Sequence, residues 1–233
     1  MPPLMRKIEV VHLASPSSKD IQDFTRIVPA LPVFEDALCA FARGCLLHTD
    51  RGQIAVEDLL PGDKVCTADA GFQTLLWRGA TIISPSATRQ EPSMGKLTRI
   101  AADALGIARP MPDLILGPKA RLIHRSHGVR RLTGSETAAI PARDFIDGNN
   151  IIELTPPTSV PVYHLGFEGH HRIPTNGVEI ESYHPGPAHL IGLRGELLDV
   201  FLSCFPHVSR IEDFGAPSLP RVRLSDLDLF DVA

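Results

Sequence analysis

Four cysteines and a late group of histidines are the side chains in this sequence best suited to chemistry. The thiols stand at Cys39, Cys45, Cys66 and Cys204. A thiolate is a strong nucleophile for acyl transfer when a neighbouring group manages the protons. The spacing is irregular, however. No Cys-x-x-Cys pair signals zinc, and four scattered thiols make no disulfide scaffold. Read as packing, they are small hydrophobes, with Cys66 and Cys204 expected in the core. His164, His170, His171 and His184 gather toward the C-terminal end, but a metal site needs three or four converging ligands with support behind them. Neither a metal nor a cofactor is expected. Asp63 and Asp69 sit near glycines and read as turn-formers rather than as a general acid and base. Arg121, Arg125, Arg130 and Arg131 form the one basic concentration, a solvated face or else a docking patch for an acidic protein partner.

The elements that would position these groups are short. From Phe41 onward, apolar runs of a few residues alternate with Gly-, Asn- and Asp-containing breaks, the pattern of an all-β domain. Strands are expected at Lys64–Thr67, Thr74–Ile83, Asp113–Leu116, Arg121–His124, Ile151–Leu154, Val160–Gly169 and Gly177–Tyr183. Trp77, in an apolar stretch, should be core. Before residue 36 the sequence predicts one strand over residues 6–13. A helix follows over Lys19–Ile27, started by Ser17 or Ser18 and ended by Pro29 and Pro32. Two later helices are expected, Ala138–Phe145 and Gly195–Phe205, the second with Leu197, Leu198, Phe201, Leu202 and Phe205 on one face. The chain therefore divides into an N-terminal extension (1–36), a β domain (37–190) and a C-terminal helix and tail (191–233), with Leu224, Leu227, Leu229 and Phe230 among the acidic Asp226, Asp228 and Asp231 of the tail.

Composition narrows the partners. The chain has 233 residues, 18 glycines, 21 prolines and a formal charge of −4. Turns must be frequent, and a nucleic-acid partner is not expected without a basic excess. No run reaches the eighteen or so apolar residues that span a bilayer. The N-terminal apolar run is broken by Glu9 and His12, so the usual export signal is not expected either. The cytoplasm is the default compartment, and secretion without a signal stays open.

Two stretches carry a family resemblance. The first runs Phe41-Ala42-Arg43-Gly44-Cys45 through Val56-Glu57-Asp58-Leu59, Pro61-Gly62-Asp63-Lys64-Val65 and Trp77-Arg78-Gly79. The second runs Val160-Pro161-Val162-Tyr163-His164-Leu165 through Asn176-Gly177 to Glu181-Ser182-Tyr183-His184-Pro185-Gly186. Together, and in this order, they resemble the bacterial Hint (Hedgehog/intein) family of self-processing domains. The resemblance implies a horseshoe of mostly antiparallel strands. It also implies an N-to-S or N-to-O acyl shift, in which a Cys, Ser or Thr attacks the carbonyl before it and a His protonates the departing nitrogen.

Set against that pattern, the chemistry is missing. The position of the family nucleophile, just before the Phe-x-x-Gly turn, is Ala40. In Asp113-Leu114-Ile115-Leu116-Gly117-Pro118-Lys119-Ala120 the hydroxyl position is Gly117 and the histidine position is Ala120. The terminal His-Asn of splicing relatives is Glu181-Ser182 here, which removes the asparagine that would cyclise. The implied function is a silent Hint domain acting as a structural or binding module. The alternative is self-cleavage by Cys39, which would release a short N-terminal peptide. Strand alternation points the Cys39 thiol away from the site, and His124 lies too far along its strand to replace the lost acid.

Overall fold

The computed structural model describes residues 4–15 and 17–227, and its regular elements are mostly strands. β1 (Met5–Leu13) and β2 (Ile21–Pro29) form a hairpin, and α1 (Pro32–Asp36) leads to the two-residue β3 (Phe41–Ala42). Four short strands follow: β4 (Leu46–Thr49), β5 (Gly52–Ala55), β6 (Lys64–Thr67) and β7 (Gly71–Thr74). Next come β8 (Trp77–Ile83), β9 (Leu97–Ile100), β10 (Leu114–Leu116), β11 (Arg121–His124), α2 (His127–Thr133), β12 (Ala138–Pro141) and β13 (Ile151–Leu154). β14 (Val160–Gly166), β15 (Arg172–Thr175), β16 (Val178–Glu181), α3 (Ala188–Ile191) and α4 (Glu196–Leu202) complete the series.

Three sheets result. The largest has eight strands in the order β13-β9-β10-β3-β14-β8-β1-β2, and two four-stranded sheets run β12-β11-β16-β15 and β5-β4-β6-β7. Neighbouring strands are antiparallel, whether joined by a short turn, as β4 and β5 are, or brought together from distant parts of the chain, as β8 and β14 are. Asn176 (φ 47°) and Gly177 (φ 83°) make the two-residue turn between β15 and β16, and positive φ at both positions is what a hairpin turn of this length requires.

Two expected helices are corrected. Residues 19–27 are not helical; β2 occupies Ile21–Pro29 and pairs with β1 over nine residues. The Ser18 hydroxyl does accept an amide hydrogen, from Asp20 at 2.9 Å, but it closes a turn instead of starting a helix. The long ladder to β1 outweighs the weak local preference of the segment. In Ala138–Phe145, β12 takes Ala138–Pro141, with Ala138, Ala139 and Ile140 fully buried, and a single 3-10 turn takes Ala142–Phe145. Pro141 lacks the amide hydrogen a continuing helix would need. The third helix forms as expected, shortened to α4.

Two main cores lie within this framework. The first includes Ala40, Phe41, Leu47, Val65, Leu116, Ala120, Leu165 and Ile180. The second includes Ile8, Val10, Val28, Phe34, Leu38, Cys39, Trp77, Phe201 and Phe205. Trp77 is fully buried as expected, and its indole N–H donates to the Cys204 carbonyl at 2.8 Å. The C-terminal segment returns as 3-10 turns at Ile211–Phe214 and Leu224–Asp226, and Leu227 packs with Val129, Ala138 and Ile140. Asp228, Leu229, Phe230 and Asp231 lie outside the described residues. No helix among the described residues is long and apolar enough to cross a membrane.

Candidate functional site

The chain enters β3 through Cys39 and Ala40, and the peptide between them is held on both sides. The Ala40 amide donates to the Tyr163 carbonyl of β14 at 3.0 Å. The turn after β10 closes from the other side: the Gly117 amide donates to the Ala40 carbonyl at 2.8 Å, and the Lys119 amide donates to the Cys39 carbonyl at 2.9 Å. Ala120 ends this turn and shares the first core with Ala40. Cys39, Ala40, Gly117 and Ala120 thus come together although nearly eighty positions separate the two segments.

Gly117 sets how closely they approach. A Cβ built there would lie 2.3 Å from the Cys39 oxygen and 2.8 Å from its carbonyl carbon. Only a residue without a side chain allows this contact. Ala40 and Ala120 offer no lone pair and no proton. The Lys119 amide alone resembles catalytic equipment, since an N–H aimed at a carbonyl oxygen polarises it.

The Cys39 thiol packs on the other side of the chain from Ala40. Cys39 packs in the second core and Ala40 in the first, the opposite sides expected of consecutive extended residues. Burial, aided by the nearby Glu35 carboxylate, pushes the thiol far above its ordinary value, and Arg6 and Lys119 offset only part of this. The other thiols are no better placed. Burial raises Cys45 to about 12 and Cys204 to about 11. Cys66 corrects its reading as core, for it is half-exposed on the β6–β7 hairpin.

Beside this peptide lies an open cleft of about 610 Å³ whose walls include Asp36, Glu91, Lys119, Arg121, Arg143 and Arg223. Its charges alternate. Lys119 lies 3.0 Å from Glu91 and 3.8 Å from Asp36, Arg121 lies 3.0 Å from Asp36, and Arg223 lies 2.7 Å from Asp144. The arginine concentration read from the sequence is therefore not one solvated face. Arg121 turns inward to Asp36 and Glu181, whereas Arg125 pairs with Glu179 and Arg130 with Glu136.

Glu181 is the residue whose importance the sequence concealed. Its side chain is 2% exposed and meets Arg221 at 2.8 Å, His170 Nε2 at 3.0 Å and Arg121 at 3.5 Å. Burial opposes its charge, but Arg221, His170 and Arg121 more than compensate and hold the carboxyl well below the usual carboxylate range. The His170 contact is near enough for charge interaction but off line for a hydrogen bond. The neighbouring Ser182 hydroxyl accepts from the His171 amide at 2.8 Å. Arg221 lies 40 positions beyond Glu181, so no local spacing could have announced the cluster.

The late histidines make ring and side-chain contacts within the fold. His170 lies against His184 with ring centroids 4.9 Å apart, His164 packs edge-on to Phe41 and Tyr183, and His171 Nδ1 meets Asp69 at 2.8 Å. Among the described residues, no group of three or more His, Cys, Asp or Glu is arranged to hold a metal ion. Burial lowers His164 to about 3 and His184 and His207 to about 4. Unfolded histidines take up protons near pH 6.5, well before these folded ones do. Stability should therefore be fully present above about pH 6.5 and fall as the pH drops toward 4, by up to about 1.4 kcal/mol per pH unit for each histidine. Thermal unfolding at pH 7.5 and pH 5 checks this: the expected Tm is clearly lower at pH 5, and equal values would contradict the burial of these rings.

A family model of the Hint domain matches residues 39–187. No curated protein matches the chain. Among solved structures, the chain is similar to a bacterial intein-like domain from Clostridium thermocellum, at 12% identity and a TM-score of 0.42, over 63% of this chain and 99% of that one. It is also similar to a splice-inactive variant of the AceL NrdHF class 3 split intein, at 10% identity and a TM-score of 0.42, over 61% of this chain and 97% of that one.

Proposed function

We infer that this chain, which belongs to the Hint domain family, is a catalytically silent member that serves as a structural or binding module. One observation carries this inference: the turn after β10 brings Gly117 and Ala120 against Ala40, so that the three positions at which the family resemblance places nucleophile, hydroxyl and histidine meet, and none of these three residues can attack a carbonyl or protonate a leaving nitrogen. The Lys119 amide would stabilise an oxyanion on Cys39, but a polarised carbonyl without a nucleophile stays an amide. The closeness of Gly117 to that carbonyl supports a settled loss, because a hydroxyl-bearing residue at 117 would need the backbone to move.

The rival function is an acyl shift in which the Cys39 thiolate attacks the Leu38 carbonyl. That step needs a thiolate, and burial in an apolar core holds Cys39 in its thiol form. Incubating the purified chain with and without dithiothreitol separates the two readings. A silent domain stays at 25.4 kDa under both conditions, and the Cys39→Ser variant behaves the same way. A shorter, thiol-dependent species that disappears in Cys39→Ser would establish the rival.

A further inference from the structure

The segment before Cys39 occupies the place where an active relative would carry what it releases, yet here it is woven into the domain. β1 is an inner strand of the large sheet. One of its edges pairs with β2 from Met5↔Pro29 to Leu13↔Ile21, and the other pairs with β8 from Ile8↔Thr81 to His12↔Trp77. Its inward positions Arg6, Ile8, Val10 and His12 are buried, and Val28 of β2 joins them. Arg6 donates through Nε and Nη2 to Glu35 Oε1 at 3.1 and 2.9 Å, with both side chains under 10% exposed, and also reaches Gln90 at 3.0 Å. Further bonds cross to the body of the domain: the Thr81 hydroxyl to the Lys7 carbonyl at 2.8 Å, and the Leu13 amide to the Leu76 carbonyl at 2.9 Å.

β8 is shaped to receive this segment. Gly79 lies opposite Val10 in the ladder, and a Cβ at Gly79 would meet the Trp77 ring at 2.2 Å and the Leu38 side chain at 2.7 Å. A glycine inside a strand marks such a close approach. Here it lets the indole fold back over the strand and form a floor with Leu38, so the second core cannot be completed without the N-terminal residues.

We propose that β1, β2 and α1 together are a strand clamp, held on the rest of the domain by pairing, burial and side-chain bonds without need of an unbroken chain, so that a break within or next to this segment leaves a two-piece complex and not a free peptide. The clamp seals the edge of β8 and the second core, and its occupant is this chain's own amphipathic hairpin. Nothing in this depends on whether the Cys39–Ala40 peptide can react, so its failure and that of the silent-domain proposal are distinguishable.

The test is a nick in the β1–β2 connection, where Ser15, Ser17, Lys19 and Asp20 are exposed and an insertion is tolerable. A site for a specific protease placed between Ser17 and Ser18 of the full chain, with an affinity tag on the N-terminus, allows β1 to be severed. After cutting, the tagged piece and the remainder should co-elute in size exclusion and separate only through the denaturant transition that unfolds the whole. Release of the tagged piece from a remainder that stays folded would overturn the proposal. Hydrogen exchange on the unmodified chain provides a second measurement. Amides of β1 should be protected as strongly as those of β8 and β14, and fast exchange of β1 alone would equally overturn it.

Discussion

Glu181→Gln should destabilise the fold by about 3 kcal/mol or more, one of the two largest effects expected of a single substitution here. The carboxylate is enclosed and faces Arg221, Arg121 and His170. An amide of the same shape removes the charge and leaves cations partly out of water without their counterion, and breaking a buried pair from one side costs about 3–5 kcal/mol. Arg121 keeps Asp36 and Arg221 keeps the His184 carbonyl, which places the loss near the lower end. Chemical denaturation of the two proteins at neutral pH measures it. The exposed Lys96–Glu153 pair is the control, because Glu153→Gln should change stability by less than about 1 kcal/mol. Equal effects from both substitutions would mean that Glu181 is not the buried hub described.

Gly117→Ala should be the second large effect, about 2–3 kcal/mol for one methyl group. The added carbon would sit 2.3 Å from the Cys39 oxygen, and backbone, unlike a flexible side-chain end, cannot swing aside. Overpacking by small groups usually costs about 1–3 kcal/mol, and this contact lies beside the two hydrogen bonds that the Gly117 and Lys119 amides donate to the Ala40 and Cys39 carbonyls. Gly117→Ser should be no better tolerated, since its Cβ meets the same obstacle before any hydroxyl chemistry begins. A stable, fully folded Gly117→Ser protein would show that the turn has room for the family's hydroxyl and that its loss is a matter of side chain only.

Much of the fold was legible in the sequence because its strands are short, apolar and bounded by turn residues. β6, β11 and β13 fall on the boundaries expected, and α4 forms within the expected helix. β2 was not legible, because its identity depends on a nine-residue ladder with β1 and not on its own side chains. β12 was misread for a similar reason: a run of alanines favours helix locally, while its neighbours β11 and Arg221 draw it into a sheet. At the site, Ala40, Gly117 and Ala120 could be singled out by comparison with a motif, but the packing role of Gly117 could not, since the carbonyl it covers lies far away in sequence. The Glu181 cluster is drawn from β11, β16, the loop holding His170 and the C-terminal segment, so no spacing along the chain shows that its members meet.

The proposal that this Hint domain is catalytically silent is tested most directly by the intact mass of the purified full-length chain. After prolonged incubation with dithiothreitol at neutral pH and denaturation to separate any bound pieces, a single species of 233 residues is expected. Denaturation matters, because the strand clamp would hide a cut from any native separation. A pair of fragments dividing at Leu38–Cys39 or Cys39–Ala40 would contradict the account.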